Sequence, residues 1–168
     1  MAIRSRPKNE FQFSGKLVEL KGTFSYAAVL VPKTLLSQMP EGRLRVKGQL
    51  NHVPIDLAIQ YRVSGPRFIM VSKLLARKAH VKIGDAVTVS FKLTNPKKVE
   101  IPEELAAVLA QDEESLAAWK KLTPGLQRSL CYYVNSVKNV DSRIKRSFEM
   151  VNKIKTGQLY LQRKKAEN

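Results

Sequence analysis

Six Lys or Arg and only two acids fall between residues 136 and 157, in SVKNVDSRIKRSFEMVNKIKTG. Cationic side chains at this density hold anions through charge-assisted hydrogen bonds. The stretch is therefore either a helix that grips a polyanion or an amphipathic helix with a solvated face. Arg143 tests the two readings. It lies at the border of the apolar stripe, near Met150 and Ile154, where an arginine can snorkel, bridge to another element or hold an anion. Lys138 and Arg146 join it as candidate anion-binding residues. A second set lies upstream. Arg43, Arg45 and Lys47 alternate along one face of a predicted strand, and Lys73, Arg77 and Lys78 fall on a short predicted helix.

No set of residues has the spacing of a catalytic site. His52 and His80 occupy different connections, with no Cys or His at metal-ligand spacing, so neither a zinc site nor a cofactor is implied. His52 reads as a turn residue and His80 as a helix end. Cys131, the sole cysteine, is flanked by Leu130 and Tyr132 in a helix and reads as a core thiol. Gly84-Asp85 reads as a tight turn before a strand, and Asp56 as a solvent-facing strand residue. PEGRL and KIGDAV each contain one glycine and cannot cradle a phosphate as a glycine-rich loop does. Trp119 reads as an anchor between helices. A non-enzymatic role is expected.

The elements that must carry these residues change in kind along the chain. The first hundred residues alternate with period two, as strands with one buried face do. Strands are expected at 11–20, 23–31, 43–50, 55–61, 67–72 and 86–93, with short helices at 32–39 and 72–80. VLVPKTLL (29–36) and FIMVSKLL (68–75) occupy equivalent places, with Val31 matching Val71 and Lys33 matching Lys73. Each half, 11–50 and 53–95, reads strand, strand, short helix, strand. Two such halves can close into one small barrel, which removes exposed sheet edges.

Beyond Asn95-Pro96 the pattern becomes helical. Pro102 is placed at a first helical position, Asp112 and Thr123 at caps, and the last helix is expected to start near Asp141 or Ser142 and stop at Gly157. Ile144, Phe148, Val151 and Ile154 fall on its apolar face, and Lys145 can pair with Glu149. The fold class is thus α+β: a small double-split β-barrel over 11–101, then a helical region over 102–157, between an N-terminal tail (1–10) and a basic tail (158–168).

Net charge is +16 on 168 residues, and it is uneven: +12 over 1–101, −5 over 102–119 and +9 over 120–168. Such a field attracts nucleic acid, anionic lipid, acidic proteins or phosphorylated metabolites. There is no apolar run long enough to span a bilayer and no secretory leader, so a cytoplasmic location is expected. Both halves of the barrel lie on one chain, so a monomer can complete it; a dimer stays open.

The span LTPGLQRSLCYYVNSVKNVDSRIKRSFEMVNKIKTG resembles the C-terminal signature of the YdeI/OmpD-associated (OmdA-like, bacteriocin-protection) family. Leu122, Thr123, Pro124, Tyr133, Lys138, Asp141, Ser142, Arg143, Arg146 and Gly157 sit at matching places. Ser136-Val137-Lys138 replaces the usual Ala-Lys, and Asp141-Ser142 replaces Glu-Thr. The stretches VLVPK (29–33), RVKGQLNHVPI (45–55) and VSKLLARKAHVKIGDAVTVSF (71–91) are similar to the barrel domain of unknown function found with that signature, with Asn51-His52 in place of its usual Asn-Gly turn. The resemblance implies a double-split barrel, distantly like AbrB/MazE-type DNA-binding barrels, and a link to tolerance of envelope stress and antimicrobial peptides. Three functional expectations follow. The first is a non-catalytic basic protein that binds nucleic acid or another polyanion. The second is a protein-interaction or small-ligand module acting indirectly in envelope stress, with an acidic protein as partner. The third is an enzyme of an unrecognised kind.

Overall fold

The computed structural model describes residues 10–20, 27–61 and 65–159. They fall into two units that divide between Pro96 and Lys97. The expected tails therefore lie largely outside the described residues, as do positions 23–26 of the second expected strand.

The first unit is a closed barrel of six antiparallel strands: β1 (Glu10–Glu19), β2 (Ala27–Leu30), β3 (Leu44–Leu50), β4 (Val53–Gln60), β5 (Phe68–Val71) and β6 (Ala86–Thr94). The order around it is β1-β2-β5-β4-β3-β6, and β6 pairs back to β1. Two short helices, α1 (Lys33–Leu36) and α2 (Lys73–Lys78), follow β2 and β5. This is the expected fold class, and the expected half-repeat is visible in it. Exchanging β1 with β4, β2 with β5 and β3 with β6 leaves every neighbour relation unchanged. Val29 pairs directly with Ile69, its equivalent in the other half.

The alternation read from the sequence sets the core. Leu44, Val46 and Leu50 of β3 and Val87, Val89 and Phe91 of β6 are buried, while Lys47 and Gln49 face out. β2 and β5 depart from alternation, because Ala27, Ala28 and Val29, and Phe68, Ile69 and Val71, are all buried. Gly48 occupies the inward series of β3 and pairs with Phe91 of β6. A Cβ on Gly48 would lie 2.0 Å from the Ser90 carbonyl oxygen and 2.5 Å from Phe91 Cα. Matching the inward residues of β3 and β6 in order makes Gly48 and Phe91 equivalents too. At this crossing the pseudo-symmetric strands approach so closely that only one of the two can carry a side chain.

The second unit holds α3 (Glu103–Leu109), α4 (Glu113–Lys120), α5 (Pro124–Asn135) and α6 (Val140–Lys155). Its core is built from Leu105, Val108, Leu109, Trp119, Leu130, Cys131, Val134, Met150, Val151 and Ile154. Asp112 and Thr123 cap α4 and α5 as expected: their side chains accept from the Glu114 and Leu126 backbone N–H groups. Gly157 follows α6 with φ +67°, the left-handed stop a glycine provides.

Three details differ from expectation. Pro102 is the residue before α3, and Glu103 begins the helix. α6 starts at Val140, because Asn139 Oδ1 accepts from Ser142 N at 3.0 Å and caps the helix two residues earlier than Asp141. The buried face of α6 is Ser147, Met150, Val151 and Ile154, whereas Ile144 is 38% and Phe148 51% exposed. The helix is turned so that Ser147 faces in. This is tolerable because the Ser147 hydroxyl donates to the Arg143 carbonyl one turn back, at 2.8 Å.

Candidate anion-binding surface

That rotation settles where the cations of α6 go. Arg143 lies between Met150 and Ile154 on the helical wheel, so it points toward the core side and not toward solvent. Its Nε is 2.9 Å from Glu104 Oε1 on α3, with the two side chains 29% and 15% exposed. The Nε–H is buried and out of line for a hydrogen bond to that oxygen. Arg146 turns to α5. Its Nη1 donates to the Tyr133 carbonyl at 2.8 Å and to Ser136 Oγ at 2.6 Å. The guanidinium lies 4.4 Å from the Tyr133 ring centroid. A cation placed on the last carbonyls of a helix also complements its dipole.

Lys155 turns to α4 and bonds the capping carboxylate of Asp112 at 2.8 Å and Glu114 at 3.0 Å. Lys155, helped by the Ser115 hydroxyl, holds the Asp112 carboxyl down at about 2, and the two carboxylates push the Lys155 ammonium above its ordinary value. Lys153, not Lys145, pairs with Glu149, at 2.6 Å. Glu149 also accepts from the Tyr133 hydroxyl. These two bonds, Lys153 first, lower its carboxyl. Glu placed four residues before Lys is the better orientation on a helix. Three of the cations of α6 thus each hold a different helix, and the acidic segment 102–119 supplies two of those partners. Lys138 stays exposed in the turn before α6.

On the barrel the pattern is different. Arg45 is committed: its Nε meets Asp56 Oδ1 at 2.8 Å and its Nη2 donates to the Asp56 carbonyl at 3.0 Å. Asp56 is exposed, as its place in the alternation implied. Arg43 is exposed just before β3. Lys73, Arg77 and Lys78 are exposed on α2, and no ion pair to them occurs among the described residues. Over the described barrel, eleven Lys and Arg face five Asp and Glu. Of those acids, Asp56 holds Arg45, Glu10 holds Lys92 at 2.8 Å, and Asp85 accepts from the Lys82 backbone N–H.

The outer faces of β1, β6 and β3 form an open groove of about 330 Å³. Gln12, Ser90 and Gln49 line it as one row in register across the three strands. Glu10, Lys92 and Lys47 form the next row. Of these residues only Lys47 was a sequence candidate. The others carry no local signal, since a row across three strands exists only once register is fixed. Cys131 is buried in the helical core, where desolvation pushes its thiol up to about 11. It is the core thiol expected, with little thiolate at neutral pH.

Residues 98–157 match the family model described as bacteriocin-protection, YdeI or OmpD-associated, and residues 13–91 match a domain of unknown function, DUF1905. The barrel thus carries the DUF1905 match and the helical unit the OmdA match. A search of curated proteins gave no match. In the OmdA region, the two arginines at the signature positions, Arg143 and Arg146, fasten α6 to α3 and α5. Among the described residues, no helix is long and apolar enough to cross a membrane.

Proposed function

We propose that this protein acts by binding and not by catalysis, and that its ligand is a polyanion, nucleic acid first, held on the cationic surface of the DUF1905 barrel. One observation carries the reading. Lys73, Arg77 and Lys78 stand exposed on α2 with no acidic partner among the described residues, whereas the cations of α6 other than Lys145 are engaged within the OmdA region. Such a surface neutralises phosphates without reading bases, so binding is steeply salt-dependent and weakly sequence-selective. The family description, bacteriocin protection, fits an indirect route. A chain of net charge +16 repels cationic peptides and does not sequester them.

Fluorescence anisotropy tests this with labelled duplex DNA, single-stranded DNA and RNA at two salt concentrations. The triple variant Lys73→Ala/Arg77→Ala/Lys78→Ala should weaken binding and flatten its salt dependence. Arg143→Ala/Arg146→Ala should leave the affinity of folded protein unchanged. Absence of binding at low salt overturns the reading.

A second reading rests on the β1–β6–β3 groove. Its in-register amide, hydroxyl and amide suit a small polar ligand, which would make the barrel a small-molecule module. Chemical-shift changes confined to Gln12, Gln49 and Ser90 on titration with a metabolite panel would favour it.

A further inference from the structure

The two histidines of the chain, separated by 28 positions and placed by sequence in unrelated connections, meet on the barrel. Their ring centroids are 6.3 Å apart and their planes 22° from parallel. Both residues are exposed. The turns that present them are fixed. Asn51, with φ +52°, donates its backbone N–H to the Thr88 carbonyl at 2.7 Å, and its Oδ1 accepts from the Thr88 N–H at 2.9 Å. This pins the β3–β4 turn, and His52 with it, to β6.

His80 ends α2. His80 N donates to the Arg77 carbonyl and Val81 N to the Ala76 carbonyl, the paired bonds of a Schellman stop. In that motif the residue at the position of His80 adopts a left-handed backbone, and glycine is the usual occupant. His80 holds φ +53° there. Histidine is among the non-glycine residues that enter this conformation more readily, and here the stop sets its ring against the only other histidine.

We infer that His52 and His80 form a two-imidazole site for a divalent transition-metal ion of the Zn²⁺, Ni²⁺ or Cu²⁺ class, with water completing the coordination. Imidazole suits these ions. With metal–nitrogen bonds of about 2.0–2.1 Å, two rings sharing one ion can have centroids at most about 6.4 Å apart. That limit belongs to nitrogens on opposite sides of the ion; at a tetrahedral angle the centroids stand about 5.2 Å apart, so the rings must draw together by about 1 Å. The rings must turn edge-on to direct a nitrogen at the ion, which exposed side chains achieve by rotation between staggered wells. Two imidazoles supply only two of the four ligands such an ion takes, so the remaining positions fall to water or an exogenous ligand.

The test is a Zn²⁺ titration of the untagged full chain, followed in the ring-nitrogen NMR spectrum, where only two histidines contribute. Mg²⁺ is the control. Both rings should shift together, saturate at one ion per chain and revert with chelator. They should fail to respond in acid, where protons compete for the ring nitrogens. His52→Ala should abolish the response of His80. His80→Gly should abolish that of His52, and glycine suits the left-handed stop, so the backbone spectrum reports an intact barrel. Added salt should not weaken binding, because the surrounding charge is positive and screening helps a cation. No saturable shift, or a response of His52 that persists in His80→Gly, overturns the inference.

Discussion

Arg143 on α6 and Glu104 on α3 are joined by one ion pair of 2.9 Å, and both side chains are largely withdrawn from water. A half-buried pair of this kind stabilises little over an apolar pair of the same shape, but removing one partner strands the other. Arg143→Ala should therefore destabilise the OmdA region by about 1–3 kcal/mol. Arg143→Met/Glu104→Gln should recover most of that loss. Urea unfolding followed by Trp119 fluorescence measures both, since Trp119 is buried in the same core. Equal stability of Arg143→Ala and wild type would return Arg143 to the pool of ligand-binding candidates.

Lys155 and Asp112 give a pH dependence of definite sign. The Asp112 carboxyl titrates at about 2 when folded and at 3.8 ordinarily. A depressed carboxylate contributes stability that is present above the ordinary value and lost as pH falls through it toward 2. The OmdA region should thus lose stability as pH drops below about 4. Asp112→Asn keeps a capping oxygen but removes the charge, so it should flatten this loss in acid unfolding curves. An unchanged acid limb would show that the Lys155 bond does not hold in solution.

Gly48 gives a packing test. Its missing Cβ is what allows β3 to cross β6 at the Ser90 carbonyl and Phe91 Cα. The obstacle is backbone on a closed barrel, which cannot rotate aside as a side chain could. Gly48→Ala should destabilise the barrel by about 3 kcal/mol or leave it unfolded. Gly42→Ala has open space around the Cβ and acts only through its positive φ, so its loss should be smaller. Thermal unfolding of the two variants compares them directly.

Sequence carried the barrel because four of its strands, β1, β3, β4 and β6, write their own burial pattern. The alternation of Leu44, Val46 and Leu50, the capping side chains of Asp112 and Thr123 and the matched halves are local signals, and the structure keeps them. What was illegible depends on distant partners. The row Gln12–Ser90–Gln49 needs the register of three strands. The rotation of α6 is underdetermined because Ile144 and Phe148 compete with Ser147 and Met150 for the buried face. Hydrophobicity alone favours the former, but the latter places Arg143 at Glu104 and Arg146 at the end of α5. Charge read along the sequence left α6 open between a polyanion grip and a solvated face. Paired residue by residue, its cations other than Lys145 are engaged within the helical unit.

His80 supplies the last test, one that separates packing from function. A left-handed backbone disfavours a residue with a Cβ by about 1–2 kcal/mol, and glycine removes that penalty while adding unfolded-state entropy of about 0.4–1 kcal/mol. His80→Gly should therefore raise the stability of the barrel by up to about 1 kcal/mol, or leave it level. His80→Val, β-branched and intolerant of this conformation, should lower it. If stacking of the two imidazoles were the reason histidine sits here, His80→Gly would lower stability by exposing His52. Thermal denaturation of the three proteins decides this. A gain in stability on losing the histidine means that its ring is kept at this place for something other than folding.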